Sequence, residues 1–382
     1  MSQAAIYLDY AATAPVAEVV AEAMRACLTQ DGTFANPASR SHIYGWQAEE
    51  KVEAARLQVA DLLCCDSREI VWTSGATESN NLALKGVFES AGYKGHLITS
   101  VIEHKAVIDP VKWLEQQGVE VTWLRPSAAG VISADQVAAA LRPDTHLVSL
   151  MQVNNETGVV NPVAEIGQLC RDAEVLFHID AAQAAGKIAI DVAALQVDLM
   201  SLSAHKFYGP KGAGCLYVRR AIAAKIAPQI HGGGHERGLR SGTLPTHQLV
   251  GMGAAAALAQ VGLEDEMRRI SDLRDRLWLG IKHLPGAVRN GDGAEISPIH
   301  LNVYFSGIDG ETLLLSLRQL AISSGSACTS ASMEPSYVLK AMGLSDENAQ
   351  SSLRLSLGRY TSMADIDCAV ERISTSVQAL QK

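Results

Sequence analysis

VDLMSLSAHKFYGPKGAG, residues Val197–Gly214, opens on an apolar run from Val197 to Leu202 that predicts a buried strand. The run turns into Ser203, Ala204, His205 and Lys206, and a bend rich in Gly and Pro follows, with Gly209, Pro210, Gly212 and Gly214. A lysine where an apolar strand meets such a bend is held at a rim, partly stripped of water, its amine aimed into a crevice. Lost hydration disfavours the ammonium, so the amine can act as a neutral nucleophile and form a Schiff base. On its own the stretch also fits a solvated surface lysine beside a turn. The weight shifts with Val175–Gln183, VLFHIDAAQ, where Asp180 ends the preceding apolar run. An amine able to hold an aldehyde and a carboxylate able to pair with a pyridinium nitrogen are the two protein groups that a pyridoxal phosphate site needs.

Upstream, strands and helices alternate. Ile70–Thr73, His96–Ser100, Val119–Leu124 and Leu147–Met151 read as strands, and Ser79–Gly86, Val107–Gln116, Ala134–Leu141 and Val163–Asp172 as the helices between them. This alternation predicts a mostly parallel sheet covered by helices, with ligands beyond the carboxyl ends of the strands. The polar residues at those ends are Thr77, His104, Asn155, Asp180, Ser203, His205 and Lys206, which the fold rule gathers in one crevice. Ser74-Gly75-Ala76-Thr77-Glu78 reads either as an anion cradle, built from free N–H groups and the helix dipole, or as a plain N-cap. It is neither a P-loop nor a dinucleotide fingerprint. His104 reads as a ring that stacks on a flat cofactor, or as a simple helix start. Asn154-Asn155-Glu156-Thr157-Gly158 is at least a polar turn.

Val16–Leu28 and Ala48–Leu63 show helical spacing and are joined by the loop Gly32–His42. Past Arg219 the pattern changes. His231–Pro245, HGGGHERGLRSGTLP, is too Gly-rich for a regular element; Arg237, Arg240 and Thr243 there either contact an anion or sit on a flexible surface loop. Helices follow over Gln248–Ala259 and Glu264–Leu284. Strands near His300–Phe305 and Ser352–Leu357, with helices near Thr312–Leu320 and Met363–Leu380, read as a smaller α+β domain. The expected division is a large domain over residues 16–259 and a small one over 1–15 and 260–382. No internal repeat is present.

With 382 residues, 48% hydrophobic and 19% charged, the chain has the make-up of a globular enzyme. A net charge of −9 argues against a broad nucleic-acid surface. The N-terminus lacks the charged and apolar regions of a secretory signal, and no apolar run approaches the ~20 residues needed to span a bilayer. The seven cysteines are scattered, odd in number and without a Cys-x-x-Cys, which argues against a disulfide framework or a structural zinc site. We therefore expect a cytoplasmic protein with no metal. The pair Cys64–Cys65, at the end of a helical run, reads as small apolar filler.

Ser323–Glu334, SSGSACTSASME, holds nothing that could anchor a core; by composition it is a solvated loop around Cys328. Structural cysteines are usually buried, so this one reads as a reactive thiol that takes something from the active site and delivers it elsewhere, or as a neutral accident in a linker. Arg354 lies on the alternating segment Ser352–Ser356. It either grips a substrate carboxylate with its planar fork or is an exposed strand arginine.

Over nearly its whole length the chain resembles the NifS/IscS-type cysteine desulfurases, members of the class-V aminotransferases with the aspartate aminotransferase-like fold (fold type I, pyridoxal 5'-phosphate-dependent). The resemblance is carried by YLDYAATAP, GTFANPASRSH, SGATESNN, EHKAV, NNETG, HIDAAQ, SAHKFYGPKG, HGGGHERGLRSGTLP, SSGSACTSASMEPSYVL and SLRLSLGRYT, and the long Cys328 segment is similar to the IscS-like branch. It implies an α/β fold with a mostly parallel central sheet flanked by helices plus a smaller α+β domain. It implies Lys206 as the Schiff-base lysine, Asp180 on the pyridinium nitrogen, His104 stacked on the ring and Gln183 at the ring hydroxyl. Ala76, Thr77, Ser203 and His205 would hold the phosphate, with Thr243 of the partner subunit in a homodimer. Asn155 and Arg354 would hold the carboxylate of L-cysteine. Cys328 would take the sulfur, leaving L-alanine and a persulfide that passes to a sulfur-acceptor protein of an iron–sulfur scaffold, tRNA thiolation or DNA phosphorothioation pathway. The sequence stops at Lys382, where the enterobacterial IscS pattern continues into a tail that helps dock the scaffold, so docking through that tail is not assumed; Gln152 stands where that branch often has His. An aminotransferase or β-lyase would need Lys206 and Asp180 but not Cys328, and a non-catalytic sulfur carrier would need no cofactor.

Overall fold

The computed structural model describes residues 5–324 and 334–381. A seven-stranded sheet forms its centre, in the order Ile70–Thr73, Gly214–Val218, Leu199–Ser203, Leu176–Asp180, Thr145–Met151, His96–Ser100, Glu120–Leu124. Every pair is parallel except those made by Gly214–Val218, which runs antiparallel to both neighbours. Side chains alternate across it. Met200 and Leu202 join the apolar layer that includes Val52, Val59, Met252 and Ala256 on helices Ile43–Leu63 and Thr246–Gln260. Leu199 and Leu147 join the opposite layer, with Leu84, Phe88 and Val111 on helices Ala76–Ser90 and Lys105–Gln116. Each such large apolar side chain contributes about 1.5–3 kcal/mol on burial, and strands covered on both faces are near-continuously hydrophobic, as these are.

A second sheet is antiparallel, ordered Ser323–Ser324, Leu353–Ser356, His300–Phe305, Ala287–Arg289. Its core joins Leu301, Val303, Phe305 and Leu355 to Leu273 and Leu277 of helix Leu263–Ile281 and Ile366 and Ile373 of helix Met363–Leu380. Leu8 packs in the same core, and Ile6–Tyr7 pairs in parallel with Leu320–Ala321. Val338, Leu339, Met342 and Ala349 pack instead into the layer under the large sheet.

The expected elements are present, with shifted ends. The first helix shrinks to Glu18–Arg25, and the second starts earlier, at Ile43, where the His42 ring accepts from the Gly45 N–H. The helix expected from Ser79 begins at Ala76, directly after the turn. The helix expected over Thr312–Leu320 spans Gly310–Ser316, because the Asp309 carboxylate caps the Thr312 N–H and the chain then bends into Leu320–Ala321. The filler reading of Cys64–Cys65 needs correcting. Cys65 packs against the core, but Cys64 is exposed and closes its helix in the left-handed conformation, φ 55°.

Candidate active site

A cavity of about 510 Å³ opens at the carboxyl ends of the parallel strands. It lies where the chain reverses direction across the sheet, since His96–Ser100 leads outward to Glu120–Leu124 and Thr145–Met151 leads the other way to Leu176–Asp180. That switch is where open α/β sheets hold ligands. Ala76, Thr77, His104, Asn155 and Asp180 line it, as do Gln183, Ser203, His205, Lys206 and Arg354.

One end is made for an anion. Helix Ala76–Ser90 starts at Gly75 with no side-chain cap, so its first N–H groups and the positive end of its dipole are left for a ligand. Gly75 has φ 152°, and a Cβ on Gly214 would lie 2.4 Å from the Gly75 Cα. Strand and turn approach this closely only because residue 214 is glycine. Ser203 Oγ would lie 3.5 Å from a Cβ built on Gly75, and His205 lines the same cavity. Burial, and then the cations Lys206, Lys211 and Lys187, push the His205 imidazole down to about 4, so it is neutral at pH 7; its Nδ1 lies 3.1 Å from Thr13 Oγ1.

On the floor, the carboxylate of buried Asp180 accepts from Asn80 Nδ2 at 2.8 Å and from the Ala182 N–H at 2.9 Å, which fixes it in one orientation. His104 is both of the things its position suggested. It caps helix Lys105–Gln116, its Nδ1 accepting from the Ala106 N–H at 3.0 Å, and it lines the cavity. Burial, helped by Lys206 and opposed by Asp180, holds its pKa below the ordinary value. Beside it Glu103 is buried and raised to about 8, mainly by desolvation, with Ser100 Oγ donating to Oε1 at 2.6 Å.

The amine end is built from backbone. Lys206 Nζ donates to Ala11 O at 2.7 Å and Ala12 O at 2.8 Å. Gln183 Nε2 donates to the same Ala11 O at 2.8 Å. The turn Asp9–Ala14 also reaches Arg354, which is not an exposed strand arginine but is 2% exposed. Its Nη1 donates to Asn155 O at 2.9 Å and its Nη2 to Asp9 Oδ1 at 2.8 Å and Ser323 Oγ at 3.1 Å. Arg354 Nε and Asn155 Oδ1 are buried without a hydrogen-bond partner among the described residues, polar atoms prepared for a polar ligand.

Thr243 is exposed and outside this cavity, and Cys328 lies outside the described residues. Arg237 and Arg240, candidates for anion contacts, are engaged by the protein: Arg237 donates to Ile70 O at 2.7 Å, and Arg240 pairs with Glu78 at 2.8 Å. Sequence reasoning gave no role to Asn80, Glu103, Ala11, Ala12, Asp9 or Lys187. Asn80, four residues past Ala76 on the helix facing the pocket, was the one with a positional signal; carbonyls of alanine carry none.

The arrangement fits a flat, anionic, aldehyde-bearing cofactor: an uncapped helix start at one end, a fixed carboxylate and a neutral imidazole along the middle, and a primary amine at the other end. The class-V aminotransferase family model matches residues 6–368. A cysteine desulfurase IscS of Shewanella baltica (strain OS223) is 58% identical over 378 residues, 99% of this chain and 94% of that protein. A solved structure described as a NifS-like protein superposes with a TM-score of 0.90 at 37% identity, covering 98% of this chain and all of the other. Another, described as SspA in complex with cysteine, gives 0.82 at 42% identity, covering 94% of this chain and all of that one. The chain belongs to the class-V aminotransferases and, among them, to the IscS-type cysteine desulfurases, which depend on pyridoxal 5'-phosphate.

Proposed function

We propose that the enzyme moves the sulfur of L-cysteine onto Cys328, leaving L-alanine and a Cys328 persulfide for an acceptor protein. The observation that carries this reading is the pairing, in one cavity, of the Lys206 amine with the fixed Asp180 carboxylate and the buried Arg354 fork. Bound pyridoxal phosphate supplies an electron sink for the bonds to the substrate Cα. Ala76 and Thr77 at the helix start, with Ser203 and His205, would hold its phosphate. Asp180 would hold a proton on the ring nitrogen, Gln183 would meet the ring hydroxyl, and neutral His104 would cover the ring. Arg354 and Asn155 orient the substrate by its carboxylate, and Lys206 Nζ moves the proton at Cα. Cys328, as a thiolate, attacks the substrate sulfur; the new S–S bond forms as the C–S bond breaks, and its electron pair stays on the carbon that becomes the alanine methyl.

On this reading the small domain, residues 1–15 and 260–382, carries both Arg354 and Cys328 to the large one, residues 16–259. The enzyme works as a homodimer in which Thr243 of the partner subunit completes the phosphate site. Support comes from the exposure of Thr243 and from the exposed apolar side chains crowded into one stretch, Val19, Leu28, Phe34, Tyr44, Trp46 and Leu57. No described helix is long and apolar enough to cross a membrane, and the six described cysteines are free, which supports work in the reducing cytoplasm. The test is peptide mass analysis after mixing the purified protein with L-cysteine without reductant. A one-sulfur gain on the Cys328 peptide, absent in Lys206→Ala, is expected; cysteine consumption with Cys328 unmodified would replace this reading with a lyase or transaminase.

A further inference from the structure

Lys187 lies seven residues beyond Asp180 and is 6% exposed. Burial, reinforced by Lys206, pulls its ammonium down to about 7, and no carboxylate offsets the cost. Its Nζ donates to Gln183 Oε1 at 3.2 Å. A buried cation held by one neutral acceptor is expensive, and an apolar side chain of the same length would fill the space more cheaply. The geometry around Gln183 gives the charge a use. Gln183 is wedged between a donor, Lys187 Nζ, and an acceptor, Ala11 O, which receives Nε2 at 2.8 Å. That fixes which way round the amide lies. Its Oε1 is turned to Lys187, its Nε2 carries a second N–H besides the one given to Ala11 O, and Gln183 lines the cavity wall.

We infer that Lys187 is a positioning residue: it locks the Gln183 amide with its N–H edge toward the cofactor pocket and, while protonated, sets a cation beside Lys206. The inference rests on the reading of Lys206 as the Schiff-base lysine and Gln183 as the contact to the ring oxygen. Both effects have one sign. A cation near Lys206 disfavours a proton on the Lys206 nitrogen, and an N–H donated to the ring oxygen makes that oxygen a poorer partner for the same proton. The groups that share this field are His205 next to Lys206, His300 on the second sheet, Arg354, and Asp180 with His104 across the floor. Lys187 acts on His205 and His300 directly, lowering both.

The test is the pH titration of the visible absorbance of the cofactor-loaded protein, with thermal melting alongside. Lys187→Met should raise the midpoint by about one pH unit and melt no lower than wild type, because an unpaired buried charge has been exchanged for an apolar chain of similar shape. Lys187→Gln, which restores a donor without the charge, should give a smaller rise and guards against a misfolded methionine variant. Gln183→Leu should raise the midpoint as well. If Gln183→Leu shifts the midpoint and every folded Lys187 variant leaves it unmoved or lowers it, the inference is overturned while the site reading stands. A Gln183→Leu protein with an unmoved midpoint removes the Gln183 assignment and the inference together. A visible band that persists in Lys206→Ala removes the reading beneath both.

Discussion

The two ends of the cavity are built from opposite materials. The anion end uses donors: N–H groups at an uncapped helix start and the Ser203 hydroxyl, with two glycines that allow the close approach. The amine end uses acceptors, the carbonyls of Ala11 and Ala12, with Asp9 from the same turn holding Arg354. Side chains and glycines specify the first end, so its residue types announce it. Backbone specifies the second, and alanine announces nothing. The turn Asp9–Ala14 is thus the joint between Lys206 and Arg354, although its residues look like filler.

The largest break in this comparison comes where the two ends meet the chemistry. Lys206→Ala should abolish the visible band and reduce alanine formation from cysteine by roughly a thousandfold or more, measured by absorbance and amino-acid analysis. Arg354→Lys keeps the charge but loses the fork that spans Asn155, Asp9 and Ser323. Its kcat/KM for cysteine should fall on the order of 100-fold, about 3 kcal/mol, with the visible band retained. An unchanged kcat/KM would remove Arg354 from the substrate site. At the anion end, Gly214→Val places a side chain against the Gly75 Cα, the Leu202 carbonyl and the Gly75 carbonyl carbon. Overpacking there should cost about 2–3 kcal/mol in denaturant melts and weaken cofactor retention in gel filtration.

The same contrast explains what could be read from the chain. The alternation of apolar runs and helical periods foretold the sheet, and helix Val163–Asp172, strand His300–Phe305 and helix Met363–Leu380 begin and end as expected. The helix expected from Ser79 starts three residues earlier, at Ala76, because Gly75 opens it without a side-chain cap and Thr77 and Glu78 belong to its first turn. Thr77, His104, Asp180, Ser203, His205 and Lys206 were legible because strand ends of a parallel sheet must converge. Asp9, Ala11 and Ala12 were not, since their contacts span 172 to 345 residues of chain. Lys187 was hidden because a buried lysine and a surface lysine are written alike.

Glu103 tests the side-chain-built floor through pH. Its folded pKa is raised to about 8 by burial, with Asp180 adding to the shift. Between the ordinary carboxylate range and pH 8 the folded protein therefore holds a proton that the unfolded chain has lost, so stability must fall as pH rises through that window. Glu103→Gln carries no such proton. Relative to wild type it should gain about 1 kcal/mol or more between pH 5 and pH 8 in urea melts, a difference that cancels the slopes the two proteins share from Glu156, His205 and Lys187. Parallel stability profiles for the two proteins would show that Glu103 does not titrate in this range.

The smallest effect is the sharpest test of a backbone-built amine end. Ala12 is half-buried, its N–H donates to Asp9 O at 3.0 Å and its carbonyl receives Lys206 Nζ. Ala12→Ser keeps both groups, so the visible band should be unchanged and stability should stay within about 0.5 kcal/mol. Ala12→Pro removes the N–H and restricts the residue before it, so the Asp9–Ala12 bond opens and the carbonyl that meets Lys206 moves. Its band and its cysteine turnover should both suffer, where serine leaves them alone. If serine proved as damaging as proline, the Ala12 side chain, and not its carbonyl, would be what the amine end requires.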